Sequence, residues 1–337
     1  MPQILRQFSL KNYNSFGLEV FANYYVCAKN IGHIKEIIKN EVGKHKQTLI
    51  LSGGSNILFT GNYSGLVIHN KIEGIKFLGE TDAHVYMEVG AGEEWDSFVK
   101  QMVELGYGGV ENLSLIPGYT GAAPIQNIGA YGVETKDVIE LVNGIDMENG
   151  KESTFKNEEC AFGYRDSLFK QKLRGKFMVT SVVFKLTKDR HAFKLGYGNL
   201  HEALLGKEVN LRNIRQAVVQ IRESKLPDPK TFGNAGSFFK NPVIGKPHFD
   251  DLLLAYPTMP NYPLTEASYK VPAAWLIEQC GWKGKVVGNV GAHQNQPLVL
   301  VNYGHAKPIE IINLARDIKN SVLEKFGIAL NEEVNVV

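Results

Sequence analysis

Hydrophobic positions in this chain switch between a helical period and short continuous runs, which predicts a mixed α and β protein. Ile34, Ile37, Ile38 and Val42 repeat at helical spacing before Gly43, and the run Thr48-Leu49-Ile50-Leu51 predicts a buried strand directly after that helix. The strand feeds Ser52-Gly53-Gly54-Ser55-Asn56 and Ile57-Leu58-Phe59, with a second strand predicted at Leu66-Val67-Ile68-His69. Val85, Met87 and Val89 alternate with polar residues, as a half-buried strand does. Trp95, Phe98, Val99, Met102 and Val103 then form one helical stripe, stopped at Gly106. Val138 to Ile145 and Phe177 to Leu186 read as strands, with a turn-prone Glu148-Asn149-Gly150 between them.

Further on, Leu211, Ile214, Val218 and Ile221 form a helical stripe capped by Asn210 and broken by Lys225-Leu226-Pro227-Asp228-Pro229, where a new domain is expected. A helix is predicted from Ala273 to Cys280 and a buried strand at Leu298-Val299-Leu300-Val301. A long amphipathic helix starts at Pro308, presents Ile311, Leu314, Ile318, Val322 and Phe326, and has Gly327 beyond its end.

Composition adds bounds. At 337 residues the chain exceeds one ordinary domain, and 44% hydrophobic with 21% charged residues describes a soluble globular protein. A net charge of +2 without blocks of like charge gives no reason to expect nucleic acid as a partner. Cys27, Cys160 and Cys280 lack metal-type or redox-type spacing and are expected to be buried thiols in a reducing compartment, with no metal bound. No apolar leader and no run of 18 apolar residues occurs, so the expectation is a cytoplasmic protein without membrane insertion.

Two glycine-rich loops carry the candidate chemistry. Ser52 to Asn56 closes a strand and offers successive backbone N–H groups as an anion nest. Its Leu51-Ser52-Gly53-Gly54-Ser55 resembles the signature loop of ABC-type ATPases, but no G-x-x-x-x-G-K-[ST] motif is present, so a triphosphate cradle is rejected. A G-x-G-x-x-G opening a helix is also missing, which argues against a Rossmann dinucleotide site. A tight turn with no ligand remains open for this segment. The second loop, Pro117 to Gly132, has four glycines and three alanines and little bulk, with Gln126 and Asn127 as uncharged amides. Such a backbone can run close to a flat cofactor, or simply connect core elements. The two loops are expected to share a region, Gly53-Gly54 taking phosphates and Gly118 to Gly132 the rest of one ligand.

Other candidates are individually weaker. Arg165, in Gly163-Tyr164-Arg165-Asp166-Ser167, suits bidentate carboxylate recognition, although on local sequence a surface pair with Asp166 or another acid is the simpler assignment. Ser237, in Gly233-Asn234-Ala235-Gly236-Ser237-Phe238-Phe239-Lys240-Asn241-Pro242, is held between a glycine and two aromatics; it lies outside G-x-S-x-G and reads equally as a turn serine. Tyr197 stands between glycines, His293 and Gln294 read as surface or satisfied core groups, and Glu332 and Glu333 read as solvated acids.

In order along the chain, Asn14-Ser15-Phe16-Gly17, Gly53 to Asn56, Ile116-Pro117-Gly118 to Gly132, Gly163 to Ser167, Gly233 to Pro242, Trp275-Leu276-Ile277-Glu278 and Glu333-Val334 resemble one family closely, the UDP-N-acetylenolpyruvoylglucosamine reductases of bacterial peptidoglycan precursor synthesis. The resemblance implies an α+β fold: an FAD-binding fold of the vanillyl-alcohol-oxidase (PCMH) type made of two α+β subdomains, plus a C-terminal α+β substrate-binding domain. The implied boundaries are 1–72, 73–215 (the FAD-binding region spanning about 17–188), 216–330, and a tail 331–337 that carries Glu333 to the site. It implies non-covalent FAD, NADPH as co-substrate and UDP-N-acetylglucosamine enolpyruvate as the molecule reduced to UDP-N-acetylmuramate. The expected form is a monomer of the larger subclass with a substrate-capping tyrosine.

Residue by residue, the resemblance makes Ser237 the proton donor, and Arg165 and Glu333 the pair at the enolpyruvyl carboxylate. Gly53, Gly54, Ser55, Asn56, Pro117, Gly118, Gly121, Ala122, Gln126, Asn127, Gly129, Ala130, Tyr131 and Gly132 match cofactor-binding positions, and Tyr197, Lys225 and Asn241 substrate-binding ones. Asn335 departs from the arginine that often follows Glu-Val, which questions the anchoring of the tail, and Tyr119 is bulky for a flavin loop. The competing readings are another FAD-dependent oxidoreductase of this fold, which would need neither the Ser237 loop nor the tail glutamate, and a non-catalytic nucleotide-sugar binder, which predicts loss of one of Ser237, Arg165 and Glu333.

Overall fold

Strand Tyr63–Asn70 organises the first sheet: strands Phe21–Ala28 and Thr48–Leu51 both pair parallel to it, and Ile4–Ser9 lies on the outer edge. Parallel neighbours need a crossover connection, and helix Ile31–Asn40 supplies it between Phe21–Ala28 and Thr48–Leu51. Its start is capped by Asn30, whose Oδ1 accepts from the His33 amide at 2.8 Å. The computed structural model describes residues 2–337.

The chain divides into two units. The first holds the residues up to Phe8, Ala22–Gly54 and Tyr63–Arg222; the second holds Ser9–Phe21, Ser55–Asn62 and Glu223–Val337. In the first unit a second, antiparallel sheet has the strand order Glu152–Lys156, Ile139–Asp146, Phe177–Thr187, His84–Gly90, Ile75–Glu80. Helix Trp95–Glu104 packs Trp95, Phe98, Val99 and Met102 into the core of this sheet, with the Trp95 and Phe184 rings 5.8 Å apart edge to face. A separate cluster containing Ile34, Ile37, Leu66, Ile68 and Met178 joins the two sheets. Asn70, buried at the end of its strand, adds a polar stitch by donating to the Val179 carbonyl at 2.7 Å.

The second unit carries a four-stranded antiparallel sheet in the order Gly233–Ser237, Val299–Asn302, Val290–Ala292, Val286–Val287, covered by helix Pro308–Phe326. A small sheet formed by Val243–Gly245, Ser268–Lys270 and Tyr262–Thr265 accompanies helix Lys246–Ala255. Asn335–Val336 pairs parallel with Ile57–Leu58.

Several elements differ from the sequence pattern. Glu148 to Gly150 turns the chain into the strand Glu152–Lys156, which the pattern did not predict, as it did not predict Ile4–Ser9, Phe21–Ala28 or Lys246–Ala255. Ile4–Ser9 and Glu152–Lys156 are short with exposed polar residues and Lys246–Ala255 is interrupted by charges, so their hydrophobic signal is weak, whereas Phe21–Ala28 is almost wholly apolar and its strand was readable. Cys160 is buried as expected, but Cys27 and Cys280 are only half-buried. Asn210 does cap its helix, accepting from the Asn213 amide at 2.9 Å. No helix among the described residues is long and apolar enough to cross a membrane.

Candidate active site

The two glycine-rich loops meet in the first unit. A Cβ built on Gly53 would lie 2.9 Å from the Gly118 Cα and 3.3 Å from the Tyr119 ring, so the two backbones approach as only glycine allows. Gly54 is buried with φ +65 and Gly118 has φ +115, both left-handed. The hydroxyl of Ser52, at the mouth of this turn, is buried and finds no partner in the protein. A backbone nest flanked by an orphaned buried donor fits an anionic group such as a diphosphate.

The long loop is held rigidly along the end of strand His84–Gly90. Gly121 donates to Ala91 at 2.9 Å and Thr120 to Glu93 at 2.8 Å, while Trp95 donates to Gly118 at 3.0 Å. A Cβ on Gly121 would sit 2.5 Å from that of Ala91, which fixes glycine there. Leu115, Asn127, Tyr131 and Arg165 all have positive φ without being glycine, a concentration of backbone strain around one loop. Asn127 is fully buried and spends its side chain inside the protein, donating to Glu134 at 3.0 Å and to the Gly163 carbonyl at 2.9 Å, and accepting from the Lys136 amide at 3.0 Å. Gln126 meets Lys170 at 3.4 Å, Pro117 and Gly132 are exposed, and Ala122 and Ala130 are partly exposed.

Arg165 does not simply pair with Asp166, which instead binds Gln171 at 2.9 and 3.0 Å. Its Nη2 donates to the Gly129 carbonyl at 2.6 Å, which ties the guanidinium to the loop itself. A Cβ on Gly129 would lie 2.9 Å from the Glu134 side chain and 3.1 Å from Arg165 Nη1. Tyr197, 40% exposed, stands next to Gly132, where an added methyl would meet the tyrosine Cβ at 3.5 Å. Tyr119 finds room by stacking on His69, ring centroids 6.0 Å apart, with Lys71 4.5 Å from its ring centre. Burial, with Lys71 adding repulsion, pushes the His69 pKa down to about 4, so the ring under Tyr119 is neutral.

In the second unit, Ser237 ends the strand Gly233–Ser237, opposite Val299. Gly236 before it has φ +68 and faces open space where a Cβ would stand. Asn234 pins the turn, accepting from Gly236 N at 3.0 Å and donating to the carbonyls of Phe232 at 2.8 Å and Pro227 at 3.2 Å. Beneath it the segment Asn14 to Gly17 acts as a platform: Asn234 N donates to Ser15 O at 2.9 Å, and Asn302 donates to Phe16 O at 2.8 Å. Glu333 is brought to the same place, because its amide donates to the carbonyl of Phe238 at 2.8 Å. Glu332 turns to Lys319 at 2.7 Å. Asn241 accepts from the Ala273 amide at 2.9 Å and so starts helix Ala273–Gln279, while Lys225 is exposed at the end of Leu211–Lys225.

One network escaped the sequence pattern. Arg215 binds both carboxylate oxygens of Asp96 at 2.7 and 2.8 Å, Asp96 also takes the Leu115 amide, and Arg222 Nε donates to the Leu115 carbonyl at 3.2 Å. Burial alone would raise the Asp96 pKa, but these donors outweigh it and hold the carboxyl below its ordinary range. Burial lowers the pKa of Arg222, against the opposing pull of Tyr131 and Asp96. Arg222 thus places a cation beside Tyr131 at the end of the loop. Nothing in the local sequence marks a pair separated by 119 positions.

Fold and loops define a flavin-binding oxidoreductase class: residues 22–155 match a family model described as an FAD binding domain. Residues 228–337 match the model for the C-terminal domain of UDP-N-acetylenolpyruvoylglucosamine reductase. The reductase of that name from Flavobacterium johnsoniae is 45% identical over 99% of this chain and 100% of its own, and that from Neisseria gonorrhoeae 43% identical over 99% and 98%. The solved structure of the Thermus caldophilus protein of the same name superposes with a TM-score of 0.69 at 22% identity, covering 100% of this chain and 98% of its own, which shows the shared fold. The chain belongs to the UDP-N-acetylenolpyruvoylglucosamine reductase family.

Proposed function

We propose that this protein is an NADPH-dependent flavoenzyme that reduces UDP-N-acetylglucosamine enolpyruvate to UDP-N-acetylmuramate. The observation that carries the reading is the pairing of the Glu333 amide with Phe238, the residue after Ser237, because it puts a hydroxyl proton source and a carboxylate on adjoining backbone. The family membership and the match to an FAD binding domain support the cofactor.

When bound, FAD would supply the hydride for the enolpyruvyl double bond, with NADPH as the reductant. The residues of this chain do the rest. Gly53 and Gly54, with Ser55, Asn56 and the buried hydroxyl of Ser52, receive the diphosphate. Pro117, Gly118, Gly121, Ala122, Gln126, Asn127, Gly129, Ala130, Tyr131 and Gly132 form a flat, rigid wall for the remainder, Asn127 through its backbone since its side chain is internally engaged. Arg165 takes the substrate carboxylate. Hydride addition to a conjugated acid gathers negative charge there, and a guanidinium already fixed on Gly129 stabilises it without reorganising. Glu333 polarises the same carboxylate, and Ser237 gives its hydroxyl proton to the carbon. Serine is a weak acid, so this transfer depends on the tight positioning that Asn234 and Gly236 provide. Tyr197, Lys225 and Asn241 bind the nucleotide-sugar portion.

In this reading the FAD-binding subdomains are 1–72 and 73–215, the substrate domain is 216–330 and the tail is 331–337. The protein acts as a cytoplasmic monomer, where both of its dissolved substrates are found. The test is anaerobic: NADPH bleaches the flavin, and adding the enolpyruvyl nucleotide sugar restores the absorbance. A bleached flavin that stays bleached with substrate present rejects the assignment.

A further inference from the structure

Residues 331–337 run as the middle strand of a ribbon within the second unit, and they change partners midway. On one side Lys240 N donates to Asn331 O at 2.9 Å, Phe239 bridges Glu332, and Glu333 N donates to Phe238 O at 2.8 Å. On the other, Asn335 N donates to Asn56 O at 3.1 Å, Val337 N to Leu58 O at 2.9 Å and Thr60 N to Val337 O at 2.7 Å. Glu333 is the residue at the crossover. Its N–H is held by Phe238 and its carbonyl by the Asn56 side chain at 3.3 Å, so the two peptide groups around it are fixed by two separate segments. Val334, buried beside it, locks the rotation of the strand.

Asn335 completes this clamp in a way its backbone does not require. Both its amide and its side-chain nitrogen, at 3.0 Å, converge on the one carbonyl of Asn56. The side-chain bond fixes the peptide plane at Asn56, and that residue's own side chain fixes the Glu333 carbonyl. We infer that Asn335, acting through Asn56, is a positioning residue that sets the orientation of Glu333 for the reduction of the enolpyruvyl group. The inference rests on the role proposed for Glu333.

The test compares Asn335→Ala, Asn335→Asp and Asn335→Gln in the flavin-loaded protein. For Asn335→Ala, bleaching by NADPH keeps the parent rate per bound flavin; because Asn56 also belongs to the proposed diphosphate site, every rate is normalised to bound flavin. Reoxidation by saturating substrate slows about tenfold, the effect of losing roughly one hydrogen bond's worth of positioning. Half-saturation moves little, and hydrogen exchange at the Glu333 and Asn335 amides quickens. Asn335→Asp keeps the size but turns an acceptor towards Asn56 O, so it reproduces the defect and serves if the alanine variant folds poorly. Asn335→Gln restores a donor and recovers part of the rate. Faster exchange with undiminished reoxidation in both defective variants overturns the inference and leaves Asn335 a purely structural clasp. A Glu333→Gln variant with normal reoxidation overturns the role of Glu333 itself, and is distinguishable because it fails without any change in the tail.

Discussion

The Glu333 amide donates to the Phe238 carbonyl at 2.8 Å, so an acid near the end of the chain is registered against the residue that follows Ser237. Sequence separation makes the contact costly to form, and the ribbon of hydrogen bonds around it makes it hard to lose. The chemistry proposed for Ser237 can therefore be tested without disturbing its surroundings, since its neighbours are held by backbone.

Ser237→Ala keeps the fold and the flavin, because Phe238, Asn234 and Gly236 anchor the turn. Bleaching by NADPH proceeds at the normal rate, and reoxidation by substrate slows by about 10² to 10⁴, the range for losing a positioned general acid. Stopped-flow absorbance of each half-reaction checks this; equal loss in both assigns Ser237 to binding.

Gly129→Ala imitates a defect at Arg165. The new methyl lies 2.9 Å from the Glu134 side chain and the Val133 carbonyl and 3.1 Å from Arg165 Nη1, so the guanidinium must shift by about a few tenths of an ångström against its bond to the Gly129 carbonyl. Reoxidation falls in the direction of Arg165→Ala, whose own loss is about 10² to 10³. Bleaching is spared in the arginine variant. Loss of flavin from the arginine variant instead makes Arg165 a structural residue.

Gly53→Ala drives a methyl to within 2.9 Å of the Gly118 Cα, a backbone atom that cannot swing aside. The protein remains folded by circular dichroism, since the contact lies on the loops and not in the core, but flavin content drops at least about tenfold, equivalent to ~1.4 kcal/mol of binding. A fully yellow Gly53→Ala protein shows that the loops are not the flavin nest.

His69 gives the folded protein a defined acid sensitivity. Its folded pKa of about 4 lies below the ordinary 6.5, so between those values the unfolded chain binds a proton that the folded chain refuses. Stability from this group is complete above pH 6.5, declines as the pH falls towards 4 and levels off below it. The full span is about 3 kcal/mol. Urea denaturation from pH 4 to 7 should show a shallower slope for His69→Gln than for the parent; identical slopes exclude His69 as the source.

Much of the geometry of the two glycine loops was legible in the chain's composition. The glycines at 53 and 121 stand where close approach excludes a side chain and those at 54 and 118 where the backbone is left-handed, demands that are written locally. The expectation that the two loops share a region is met by the Gly53 to Gly118 approach. Tyr119 is accommodated by its stack on His69, and Asn335 anchors the tail through two hydrogen bonds to the Asn56 carbonyl. Neither partner could be read locally, since 50 and 279 positions separate them.

The sequence by itself determined the helices with strong stripes, the long buried strands, the glycine loops and, through an ordered series of motifs, the family. Only the tertiary structure decided that Arg165 ties to Gly129 and not to Asp166, that Asn127 turns inwards, and that Ser55 and Asn56 are grouped with the segment bearing Glu333 while Gly53 and Gly54 are not. Periodicity and composition record how each residue meets water and its near neighbours; a hydrogen bond between distant segments is a property of the packed chain, because its two ends choose each other only after the core has brought them within about 3 Å.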